Sequence, residues 1–231
     1  MTSQAEILDA LSGVRDPELD EPITDLDFVS GLKLEDDAVT VRLRLPTYFC
    51  APNFAYLMVA DAKAAVLSVP GIRKARVVLD DHYASGEINV GVNEEKGFDV
   101  AFAGETESPD LEELRGTFRR KSFVARQEKL CRVLLAEGYS AEKLTEMQLG
   151  EVPSLEELEK YLDRRAELGL DVSPEAPLVV DPDGKRVPKD AVIQHLQFAR
   201  TVRVSVEGNA ELCRGLLATR YGIGEKKEVT L

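Results

Sequence analysis

The chain reads as an α+β protein in which a small α-β-β-α-β N-terminal domain precedes a mainly helical C-terminal extension. Three observations predict this. Val39, Val41, Leu43 and Leu45 alternate strictly with Thr40, Arg42 and Arg44, the period of a strand with one buried face. Phe54, Leu57, Met58, Ala62, Ala65, Val66 and Val69 then recur at helical spacing. The two parts also differ in charge: residues 1–109 hold 9 basic and 20 acidic side chains, residues 110–231 hold 20 and 22.

Taken in order, Ser3-Gln4-Ala5-Glu6 has the spacing of a capping box, and Ile7, Leu8, Leu11 and Val14 continue it as a short amphipathic helix. After Asp16-Pro17-Glu18, residues 28–34 form the first strand, Glu35-Asp36-Asp37 its turn and residues 39–45 the second strand. Pro46 to Asn53 interrupt the alternation before the helix of residues 54–69, which Pro70-Gly71 ends. Ala75, Val77 and Leu79 give a third strand, and Ile88, Val90 and Val92 predict an added edge strand. The polar stretch 104–110 is read as a linker, dividing the chain into domains at 1–103 and 111–231.

Beyond the linker, residues 111–137 form a long helix ended by Gly138, and 140–147 and 154–168 form two more, the last opened by a second capping-box spacing at Ser154. Leu178-Val179-Val180, the Asp181-Pro182-Asp183-Gly184 turn and Lys185-Arg186-Val187 resemble a small hairpin, with a helix after Pro188. Residues 201–206 alternate like a strand, yet Ile193, Leu196, Ala199 and Val202 fit one helical face, and both assignments stay open.

Composition bounds the function. With 44% hydrophobic and 31% charged residues among 231, the chain can bury a core and stay in solution. Its formal charge of −13 opposes adhesion to nucleic acid or anionic membranes, so neither is expected as a partner. The opening residues lack a signal-peptide pattern and no long uncharged apolar run occurs, which predicts a cytoplasmic protein. Cys50, Cys131 and Cys213 are widely spaced and odd in number, better read as thiols than as a disulfide framework. There is no G-x-S-x-G, His-Glu-x-x-His or P-loop spacing, so the chain is not expected to be an enzyme. A thiol-dependent enzyme using Cys50 would lack an identifiable base.

Cys50 is the most informative residue, since it lies in a proline-flanked loop feeding a helix, where unpaired N–H groups favour a thiolate. Packing beside Tyr48 and Phe49 is the equal alternative. Asp16 and Glu18 flank a rigid proline and could face that loop, although such a tripeptide usually serves its own turn. Cys131 and Cys213 sit in apolar helical contexts that favour core packing. His82 and His195 are read as surface histidines, with ligation the minor alternative. The basic run that includes Arg119, Arg120 and Lys121 is read as a solvated helix face, or more sharply as a docking surface for an acidic partner.

Asp16-Pro17-Glu18, Ile23-Thr24-Asp25-Leu26-Asp27-Phe28-Val29, Val39-Thr40-Val41-Arg42-Leu43, Thr47, Cys50 and Val69-Pro70-Gly71-Ile72 follow one another in an order that resembles the PaaD- and SufT-type iron–sulfur cluster assembly domain, over about residues 4–80. The family commonly has glycine where this chain has Asp27, and proline directly after the cysteine where it has Ala51 and then Pro52. The resemblance implies a maturation factor for metalloproteins with a reactive cysteine at Cys50, supported by Asp16, Glu18 and Thr47. It implies iron or an iron–sulfur cluster as a transient or shared cargo, and a client metalloenzyme such as a multicomponent oxygenase. One cysteine cannot complete a metal site, so a homodimer, a client or further residues of the chain must supply the rest. The alternative is a metal-independent adaptor or chaperone that binds an apo-enzyme.

Overall fold

The structure is a computed structural model that describes residues 2–102 and 111–223. The expected linker at 104–110 lies outside the described residues. The chain divides into two compact units, Met1–Leu111 with Asn209–Leu231, and Glu112–Gly208. This differs from the linear division at 103 and 111: the end of the last helix is grouped with the N-terminal unit.

In the first unit, α1 (Gln4–Ser12) opens on the expected capping box, with Ser3 Oγ accepting from Glu6 N–H and the Glu6 carboxylate from Ser3 N–H. Strands β1 (Val29–Glu35) and β2 (Ala38–Arg44) form an antiparallel hairpin, and β3 (Lys74–Asp80) pairs parallel to β2 with Val41 opposite Val77. A parallel neighbour needs a long crossover, supplied here by α2 (Pro52–Leu67). The sheet order is β1-β2-β3. Val39, Val41, Leu43, Val77 and Leu79 meet Ile7 and Leu11 of α1 and Ala55, Val59, Ala62 and Val66 of α2 in one core. The α+β class and the α-β-β-α-β order are those the sequence predicts.

The expected edge strand is instead a helix, α3 (Ser85–Asn93). Ile88 and Val92, four residues apart, are buried, while Val90 is exposed. Asn89 and Asn93, also four apart, face β3. Asn89 accepts from Leu79 N–H at 2.8 Å and donates to Leu79 C=O at 3.1 Å, and Asn93 makes the same pair with Val77 at 3.1 and 2.7 Å. One turn of helix advances about as far as two residues of strand. Two amides on one helix face therefore satisfy the backbone groups of Val77 and Leu79 that a fourth strand would otherwise pair. A short α4 (Phe98–Ala101) follows.

The second unit holds most of α5 (Leu111–Ala136), α6 (Ala141–Glu146), a 3₁₀ turn at Leu149–Glu151, α7 (Glu156–Glu167) and the first part of α8 (Val192–Tyr221). Helix α7 is capped at Leu155 without a side-chain bond, so the expected capping role of Ser154 is not realised. The expected 178–187 hairpin reduces to one bridge, Val180 with Arg186, around a turn in which Asp181 accepts from Asp183 and Lys185 N–H. Residues 201–206 are helical. Val192 and Ala199 are buried and Leu196 and Val202 pack against them, so the helical stripe prevails over the alternation. Phe123, Leu130, Cys131 and Leu134 of α5 pack with Tyr161 and Leu178–Val180. Gln127 donates to Tyr161 Oη and to Val180 C=O within that core. His195, read as a surface residue, is half-buried with Nε2 2.6 Å from Gln127 Oε1.

Replacing Asn93 with Ala strips two backbone groups of β3 of their partners and should cost on the order of 1–3 kcal/mol in urea denaturation, with Asn89→Ala in the same range. Asp27, where the resembled family has glycine, adopts a left-handed φ of 57°. Asp27→Gly should leave stability unchanged or raise it by up to about 1 kcal/mol, while Asp27→Val should lower it by at least about 1 kcal/mol, both read from denaturation midpoints.

Candidate functional site

The site lies in the first unit, where β2 runs out into Pro46 and the chain loops to the start of α2. Pro52 takes the first helical position, which needs no N–H, and Ala51 takes the cap without a side-chain bond. Cys50 is thus held just outside the helix, half-buried. Its Sγ is 3.3 Å from Thr47 Oγ1, which also accepts from Phe49 N–H.

The loop is pinned from the end of β3. Tyr83 N–H donates to Tyr48 C=O at 3.1 Å, and His82 Nε2 lies 2.8 Å from Cys50 C=O. Because His82 Nδ1 accepts from Ala84 N–H, its proton is on Nε2 and the ring is a neutral donor to the cysteine carbonyl. Burial holds its pKa below the ordinary value, against the opposing pull of the Cys50 carbonyl and with the help of Arg220. The surface placement expected of His82 is therefore corrected: it is 2% exposed and positions the cysteine loop. Beside it, Tyr48, Phe49 and Tyr83 form an outward-facing aromatic cluster in which Phe49 is 76% exposed.

Asp16 is buried, and its Oδ1 accepts from Glu18 and Leu19 N–H, both at 2.9 Å. It therefore closes its own turn. Burial first, and the neighbouring Glu18 and Glu21 charges after it, raise its pKa to about 6 against the pull of those two N–H groups. Glu18 is exposed and accepts from Asn209 Nδ2 at 3.3 Å.

Asp16, Glu18, Cys50 and Cys213 line one cavity of about 110 Å³, walled by Leu19, Phe28, Leu45, Phe54 and Met58. Cys213 was expected in a core, but it is half-buried at this cavity. The reason lies in residues 209–221 of α8. Arg214 pairs with Glu21, Arg220 donates to Leu45 C=O and to the Asp81 carboxylate, and Tyr221 Oη lies 3.3 Å from the same carboxylate. The Cys213 thiol is pushed up to about 11 by burial and then by Asp16, Cys50 and Glu18. Cys131 is fully enclosed in the second unit and pushed up to about 12, so it is a packing thiol.

Of the sequence candidates, Asp16, Glu18, Thr47 and Cys50 come together. Arg119, Arg120 and Lys121 lie on α5 in the second unit, where Arg120 pairs with Asp183 at 2.7 Å and the Lys121 ammonium sits 4.8 Å from the Phe118 ring centroid. The sequence reading kept His82 and Cys213 only as minor alternatives to a surface and a core position, and the structure places both at the Cys50 loop or its cavity. The Cys213 signal was available only as alternating charge, Glu211 and Arg214, on a helix that also carried apolar residues. Among the described residues no three His, Cys, Asp or Glu side chains converge into a metal-holding group, and no helix is long and apolar enough to cross a membrane. Two thiols that line one cavity are donors of the kind a thiophilic metal takes, and among the described residues they are too few to close a four-ligand site.

Between about pH 4 and pH 6 the native state keeps the Asp16 proton that the unfolded chain has lost, so this group's contribution falls as pH rises. The stability of the wild type relative to Asp16→Asn should therefore drop by about 2 kcal/mol from pH 4 to pH 7, read by urea denaturation at each pH.

No solved structure matches the chain significantly. An uncharacterized protein of Methanocaldococcus jannaschii is 28% identical over 97 residues, which are 42% of this chain and the whole of that protein. Residues 4–79, from the start of α1 to the penultimate residue of β3 and including Cys50, match the family model described as iron-sulfur cluster assembly protein, and that match supports a role in iron–sulfur cluster assembly or maturation.

Proposed function

We propose that this chain is a cytoplasmic accessory factor, not an enzyme, that presents iron or an iron–sulfur unit through Cys50 to a client metalloenzyme. The observation that carries this reading is the Cys50 thiol on a walled cavity within the segment that matches the assembly family. Neutral His82 fixes the loop carbonyl, Thr47 neighbours the sulfur, and the apolar walls limit water around a bound cargo. The cargo is substrate here, held in passing. The client is a metalloenzyme, with multicomponent oxygenases the first class to examine, and neither nucleic acid nor membrane is a partner. The missing ligands come from the client or from a second copy in a homodimer. On α5, Arg119, Arg120 and Lys121 offer positive charge to an acidic face of that client.

A second reading, a metal-independent adaptor that holds an apo-enzyme, draws on the exposed Tyr48, Phe49 and Tyr83 cluster, which offers apolar area next to the cysteine.

Client loading under anaerobic conditions separates the two. With Cys50→Ser protein, cofactor content of a co-expressed client should fall by about tenfold or more. Equal loading by the variant rejects the carrier. Phe49→Ser with Cys50 intact should weaken client capture and leave iron binding by the free chain unchanged.

A further inference from the structure

We propose that Cys213 is the second thiol of the cargo site, so that Cys50 and Cys213 together hold a thiophilic metal ion or the iron of a cluster. This deepens the carrier reading and rests on it. Cys213 lies far outside the residues that match the assembly family, so the α8 segment adds a ligand that the matched module lacks.

The geometry is specific. Residues 50 and 213 are distant in sequence, yet both line the cavity that Asp16 and Glu18 share. Neither sulfur is in a disulfide, and neither is enclosed as Cys131 is. The segment that carries Cys213 is anchored on both sides of it, by Asn209 and Arg214 to Glu18 and Glu21, and by Arg220 to Leu45 C=O and Asp81. These anchors lie on the turn that holds Asp16 and on the strand ends that flank the Cys50 loop. Their combined effect is to hold one sulfur on the same cavity as the other.

Two thiols are fewer than a closed site requires, and no third His, Cys, Asp or Glu among the described residues joins them as a metal-holding group. Two coordination positions are thereby left for a client, and an incomplete ligand set is what release requires. On binding, each thiol forms one sulfur–metal bond and gives its proton to solvent, with no change of oxidation state.

Cadmium alone serves as the probe, titrated anaerobically into the reduced full-length chain and followed by the ultraviolet thiolate-to-metal charge-transfer band. Wild-type protein should bind one ion with a two-thiolate intensity. Cys213→Ser should halve that intensity and weaken binding by at least about tenfold, since even outer partners of a metal site are worth about 10–100-fold. Cys131→Ser should match the wild type. A Cys213→Ser titration that matches the wild type while Cys50→Ser loses the band overturns the two-thiol site and leaves the carrier reading intact. A band unchanged by Cys50→Ser, or absent in the wild type, overturns both. Independently of any variant, cadmium should protect both Cys50 and Cys213 of the wild-type chain from alkylation, read by peptide mass spectrometry. Protection of Cys50 alone also overturns the second thiol.

Discussion

The cavity around Cys50 depends on residues 209–221 being held in register with the N-terminal unit. Asn209, Arg214, Arg220 and Tyr221 do this through polar contacts to Glu18, Glu21, Leu45 C=O and Asp81. Partly exposed pairs of this kind contribute little to stability singly, about 0–1 kcal/mol each. Their value is directional, because a guanidinium bound to a carbonyl and a carboxylate at once tolerates little rotation about the helix axis. Arg44 and Arg220 both lie over the Tyr221 ring, with centroid distances of 5.0 and 5.2 Å, which adds a further restraint at the end of α8.

The chemistry of the cavity follows from what lines it. Apolar walls and two acidic groups favour neutral forms in the resting protein, so Asp16 and Cys213 retain protons that exposed groups would have lost at lower pH. His82 also stays neutral, as its donor bond to the Cys50 carbonyl requires. Near neutral pH the Cys213 thiol is therefore protonated in the resting protein.

Much of the first unit was legible in the sequence because its signals are local. The alternation of 39–45, the stripe of 54–69 and the Ser3 capping box each depend on neighbours in the chain, and each appears where expected. Ile88, Val90 and Val92 misled because three apolar residues at even spacing fit a strand, while the deciding information was the spacing of Asn89 and Asn93 against a strand ten or more residues earlier. The same limit applies at the site. Cys50 and Asp16 stood out by local context and Thr47 by the family resemblance, whereas the burial of His82 and the placement of Cys213 depend on long-range contacts that no window of sequence contains. Asp27 is an instructive intermediate: its departure from glycine was visible, and its left-handed backbone shows what that glycine is for.

The asparagine ladder along β3 has one more effect. A bare outer strand invites a strand of another molecule to add to the sheet. Here an incoming strand would first have to displace four side-chain bonds at Val77 and Leu79. Growth of the sheet past β3 is thus opposed at Val77 and Leu79 by amides borrowed from a helix.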